Sequence, residues 1–148
     1  MTKAKKFISL DEVLSKDSAE LTAVKVGEFE TEKLGEVPFT AIDHSEYKQI
    51  KKDCVRMMPN GTGGMEPEVD DDKMMLRVVI RAVDKDTRSD FTFANKALLE
   101  KLGVTTADEA AAKLLLPGEI INFAVAVQGL SGFGQKAQKD AQDKVKNS

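Results

Sequence analysis

Leu114-Leu115-Leu116-Pro117-Gly118-Glu119-Ile120-Ile121-Asn122-Phe123-Ala124-Val125-Ala126-Val127-Gln128-Gly129-Leu130-Ser131-Gly132-Phe133 is too apolar to lie on a solvated surface, and its punctuation shapes it into helix. Pro117 suits the first helical position, where a missing N–H breaks no bond. Glu119 stands at the third position, against the positive end of the helix dipole. The helix predicted over 117–130 stops at Gly132. Ile120, Phe123, Ala124, Val127 and Leu130 fall on one broad face, with Glu119, Asn122, Ala126 and Gly129 in a narrow small-or-polar stripe opposite. Such a helix belongs in the centre of a core or against a partner, and one open edge reconciles the two.

Upstream, helical signals continue. Residues 92–102 carry Ala94, Leu98, Leu99 and Leu102 and end at Gly103, where glycine takes the left-handed conformation without strain. Thr106-Ala107-Asp108-Glu109 is a capping box that opens a helix over 106–115. Residues 72–83 read two ways. Arg77 and Arg81 lie four apart, as on a helix, whereas Val78-Val79-Ile80 suits a strand, and twelve residues favours helix.

The first half changes period. Ser9 with Glu12 three residues on caps a short helix through Leu14. Alternating apolar residues from Leu21 to Phe29 and from Leu34 to Ile42 predict a hairpin over 21–42 with a longer loop, since no Asn-Gly or Asp-Gly pair marks a tight turn. Asp43 or Ser45 opens a helix over 43–57 through Tyr47, Ile50, Cys54 and Met57. Met58 to Gly64 ends that helix and leads into a flexible linker through Pro67. The expectation is one α+β domain over 1–133, an N-terminal hairpin with short helices followed by a predominantly helical C-terminal half. Residues 134–148 are expected to form a polar, flexible tail.

The chain holds little that could do chemistry. His44, the sole histidine, sits beside Asp43 at a helix start and reads as a capping or solvated residue. Cys54, the sole cysteine, shares helical spacing with Ile50 and Met57 and reads as structural; it excludes an intrachain disulfide. Asn60–Gly64 lacks the Gly-Lys-Ser/Thr ending of a phosphate loop. Asp70-Asp71-Asp72 lacks the alternate spacing of a calcium loop and reads as a helix cap. No cofactor, metal site or enzymatic activity is expected. A net charge of −3 with basic residues gathered at the two ends argues against nucleic acid. No apolar run approaches the roughly 20 residues that cross a bilayer. The lone cysteine and the lack of a signal peptide point to a reducing cytoplasm. Met57-Met58, Met65 and Met74-Met75 fit core filling, or an adaptable peptide-binding surface.

Leu98-Leu99-Glu100-Lys101-Leu102-Gly103-Val104, then Thr106-Ala107-Asp108-Glu109, then Leu114-Leu115-Leu116-Pro117-Gly118-Glu119-Ile120, then Leu130-Ser131-Gly132-Phe133 form an ordered series over Asp90–Phe133. That series resembles the C-terminal half of the XkdN-like tail assembly chaperones of tailed phages and prophages. One departure is Val83-Asp84-Lys85-Asp86, where a Pro-Asp step is expected. The resemblance implies a non-catalytic protein in the cytoplasm of the bacterial host. It would bind the tape measure protein, keep it soluble while tail tube protein polymerises around it, and be absent from the mature virion. Self-association is a second contact to consider, and Ile120, Phe123, Val127, Leu130 and Phe133 are the candidate partner-binding residues. Two rival classes are a virion structural or tail completion protein, which should carry more β-structure, and a prophage regulatory module, for which no basic recognition helix is present.

Overall fold

α4 (Asp71–Lys85) is the element on which the others pack, and it carries seven buried residues: Met74, Met75, Val78, Val79, Ile80, Ala82 and Val83. The computed structural model describes residues 7–133; the basic ends and the predicted tail over 134–148 lie outside the described residues. The fold is α+β, and the segment that read two ways is helix. Its Val-Val-Ile run is buried, and Lys73, Arg77, Arg81 and Asp84 keep a narrow polar stripe on the side away from the core. Asp70 caps it, accepting from the Lys73 amide at 3.2 Å, so the acidic run is a helix start.

Before α4 lie α1 (Leu10–Leu14), α2 (Ser18–Leu21), β1 (Val26–Thr31), β2 (Gly35–Thr40), α3 (His44–Asp53), β3 (Val55–Pro59) and β4 (Met65–Val69). After it come α5 (Lys96–Leu102), α6 (Ala107–Leu114) and α7 (Pro117–Leu130). β1 and β2 form an antiparallel pair whose inner face holds Phe29, Val37 and Phe39, with Gly35 at φ 76° closing the three-residue loop. Phe39 lies across Gly27, where a Cβ would meet the ring at 3.0 Å. The predicted hairpin is thus present but shorter: β1 begins at Val26, just beyond the bond from the Ala41 amide to the Lys25 carbonyl, and Leu21 ends α2.

Two expectations fail between α3 and α4. The helix predicted to 57 ends at Asp53, capped at its start by a full capping box between Asp43 and Glu46. The predicted linker is instead the turn of a second antiparallel ribbon, β3–β4, in register from Val55↔Val69 to Pro59↔Met65. The Asn60 carboxamide oxygen organises that turn, accepting from the amides of Thr62 and Gly64, while Gly61 and Gly63 take positive φ. Alternation across Val55, Met57 and Pro59 is masked in the sequence by helical spacing from Ile50 and Cys54, and the two prolines argue against a strand. Further on, the predicted helix over 92–102 begins only at Lys96, capped by Asn95, because Phe93 turns fully into the core.

Charged groups fasten the rim of α4. Glu46 accepts from Lys85 and Arg81. Burial raises its pKa, but hydrogen bonds from Lys85, the Asp43 amide and Arg81 outweigh this and hold it at about 2. Asp86, its side chain 2% exposed, accepts from the Thr40 hydroxyl at 2.9 Å and from Arg88. Arg88 reaches on to the Gly27 carbonyl at 2.7 Å and to Glu28 at 2.6 Å. The Arg88 guanidinium holds Asp86 at about 2 as well. Asp86 therefore stands, without a proline, as the anchor of the turn after α4.

Carboxylates whose folded pKa lies below the unfolded value stabilise the fold above that unfolded value and lose the contribution as pH falls through the folded pKa. Stability measured by urea unfolding should therefore drop between about pH 4.5 and pH 2. Glu46→Gln should cost on the order of 1–3 kcal/mol at pH 7 and flatten that acid limb.

Candidate docking surface

α7 begins and ends on contacts to the first half of the chain. Pro117 occupies its first turn, and the Glu119 carboxylate folds back to accept from the Leu116 amide at 2.8 Å. Its other oxygen accepts from the Glu32 amide in the β1–β2 loop at 2.9 Å. At the far end Ser131 Oγ donates to the Val127 carbonyl at 2.7 Å and accepts from the Ile42 amide at 2.9 Å. Gly132 follows at φ 99°, which lets Phe133 turn onto Tyr47, ring centroids 5.1 Å apart. Pro-Gly-Glu and Ser-Gly-Phe are thus the two fastenings of α7 to the β1–β2 half.

Between the fastenings, Phe123 stacks on Phe29 (4.4 Å between centroids) and meets the edge of Phe39 at 5.2 Å. Of the five candidate partner-binding residues, Phe123 and Val127 are fully buried here and present nothing to a partner in this state. Ile120, Leu130 and Phe133 are half-buried. β1, β2 and α4 cover the broad face of α7, so the open edge lies elsewhere.

That edge is a cleft between the first turns of α4 and α7. Met75 and Leu76 form one wall, Pro117, Ile120 and Ile121 the other, with Asp72 and Lys73 at the mouth; it holds about 370 Å³. Ile120 alone of the candidate residues lines it. Periodicity placed Ile121 outside the broad face, and its neighbour across the cleft, Leu76, comes from a helix 45 residues earlier. No sequence pattern links them. A cleft with two helical walls and an otherwise apolar lining accepts one or two apolar side chains of an incoming helix.

The groups weighed for chemistry fall apart in space. Cys54 is buried at the end of α3, and burial pushes its thiol pKa up, against the pull of Lys73 and Arg77. His44 is exposed in the first turn of α3 and lines a separate cavity of about 220 Å³ beside Tyr47 and Phe133. Among the described residues no three His, Cys, Asp or Glu side chains gather as a metal site would require. No described single helix is long and apolar enough to cross a membrane.

The clamp has a measurable strength. Glu119→Ala and Ser131→Ala should each cost about 1–2 kcal/mol in urea or thermal unfolding. Because they act at opposite ends of α7, their effects should add.

Comparison with known proteins gives two findings. A family model described as "Phage XkdN-like tail assembly chaperone protein, TAC" matches residues 6–146. A crystal structure described as that of the protein yqbn superposes with a TM-score of 0.57 at 17% identity, covering 80% of this chain and 98% of that one, which bears on the fold alone. None of the curated proteins matches the chain in sequence.

Proposed function

The chain belongs to the XkdN-like phage tail assembly chaperones, and from that premise we propose that it assists tail assembly by binding the tape measure protein. In this reading it keeps the long apolar helices of that client from aggregating until tail tube protein polymerises around them. It acts in the cytoplasm of the bacterial host, performs no covalent chemistry, and leaves before the virion is complete. The observation that carries the proposal is the apolar α4–α7 cleft, left open on a member of a chaperone family. Two helical walls flanking an apolar cleft accept the side chains of a third helix at i, i+3 and i+4 spacing. The area is small, which suits a contact that must be reversed when the tube closes. The broad face of α7 contributes indirectly, by holding Ile120 and Ile121 against α4 rather than by touching the client.

Co-expression with the tape measure protein of the same genome tests the reading. The wild-type chain should keep that protein in the soluble fraction and be recovered with it. Leu76→Asp or Ile121→Asp, each shown by circular dichroism to fold, should lose both effects, whereas His44→Ala outside the cleft should keep them. An insoluble client in the presence of the wild-type chain would end the tape-measure reading.

A further inference from the structure

Two parts of the chain project from the core with little to fold against, the second of them touching it at Val69 alone of its apolar face. The first is the N-terminal arm. α1 has five residues and α2 four, neither buries a residue, and Phe7, Ile8, Leu10 and Leu14 are 71–84% exposed. Isolated helices shorter than about 12 residues are marginal in water. Yet both helices are capped, by Ser9 and Asp17, and the hydrogen bonds at those caps close within three residues. The second part is the β3–β4 ribbon. Paired residues share a face, so Val55, Met57, Pro59, Met65, Pro67 and Val69 make one side wholly apolar, with Arg56, Met58, Glu66 and Glu68 on the other. An isolated two-stranded ribbon is also marginal alone. Pro59 and Pro67 withhold donors from its edges, which disfavours addition of a further strand and leaves the face as the surface to be covered.

We propose that the arm of one copy covers the ribbon of a second copy, reciprocally, in a two-fold dimer. Area selects this arrangement. A large apolar side chain offers about 150–200 Å² when fully exposed. At the exposures above, the four arm residues would bury on the order of 500 Å². Val55, Met57 and Met65, 44–55% exposed, would add on the order of 250 Å². Ribbon packed on ribbon would bury roughly 500 Å² in all, too little for a stable pair. Two reciprocal exchanges would bury roughly 1,500 Å², within the range of specific interfaces.

Placement agrees. The arm is rooted at the C-terminal end of α4, where the Ala41 amide donates to the Lys25 carbonyl and Lys85 donates to the Ala41 carbonyl. The ribbon is rooted at the other end, where the Asp70 amide donates to the Cys54 carbonyl. The roots are separated by the length of α4, about 22 Å. A two-fold axis across α4 runs the two helices antiparallel and sets each arm root beside the other copy's ribbon root. Methionine on the receiving face adapts to an arm of short helices better than branched side chains would.

The full chain tests this without its client. Its mass by light scattering should rise to twice the chain mass with concentration. Leu10→Glu with Leu14→Glu, and separately Met57→Glu with Met65→Glu, change only exposed side chains and should each shift the chain to monomer with an unchanged circular dichroism spectrum. A Leu14→Cys chain mixed with a Met57→Cys chain and treated with a bifunctional maleimide should yield a mixed species of twice the chain mass, since Cys54 is buried. A wild-type chain that stays monomeric overturns the proposal. So does association that survives either double variant. So does a chain carrying both cysteines that links only within itself, which would mean that the arm folds back on its own ribbon.

Discussion

The structure depends on one constraint: α7 must be held at both ends to a hairpin nearly ninety residues earlier in the chain. Glu119 takes the Glu32 amide at one end, and Ser131 takes the Ile42 amide at the other. The span between these contacts sets where Phe123 sits, and Phe123 is the residue on which Phe29 and Phe39 close. At the buried Ile42 end, a backbone amide left without a partner would cost as much as a lost hydrogen bond. Both motifs therefore do more than start and stop a helix. They fix its position along the hairpin to within one turn, and with it the register of the whole inner face.

α4 then fills the space that the α7–hairpin pair encloses. Its buried residues face α7 and β2, with α6 and α3 against it as well. A helix surrounded in this way has little surface left for charge. The charged side chains it keeps are fastened outward, Arg77 to Asp108 and Arg81 to Glu46, and Asp86 with Arg88 closes its far end against β1 and β2. Hydrogen bonds to ionised groups are among the stronger polar contacts in a protein of this size. Here they join α4 to α3, to α6 and, through Asp86 and Arg88, to the hairpin, so acid loosens the joints around α4 before it reaches the apolar interior.

What the fold does not use is as regular as what it does. The arm before Val26 gives the core no buried residue and the ribbon touches it through Val69, and among the described residues no buried side-chain polar atom lacks a partner. Apolar residues remain exposed where the chain projects, on the arm and the ribbon, and at the α4–α7 cleft. The body buries its own core, and the most exposed apolar side chains lie on the projections.

The helical second half was legible in the sequence because its signals are local. Pro117 at a first turn, Gly103 past a last turn and Thr106 three residues before Glu109 each act on the nearest peptide bonds, so each tells what the nearby backbone does. The family resemblance rested on that same punctuation. The β3–β4 ribbon was not legible, because Ile50 and Cys54 extend a helical period into Val55 and Met57, while the pairing that makes these strands lies across a glycine turn. Nor could periodicity say which side of α7 stays open. Ile120, Phe123, Val127 and Leu130 are equally apolar, and only the hairpin's arrival buries Phe123 and Val127 while Ile120 and Ile121 remain at an edge with Leu76. Residues near in sequence determined the helices; burial depends on residues far apart in sequence, and that was decided by tertiary packing.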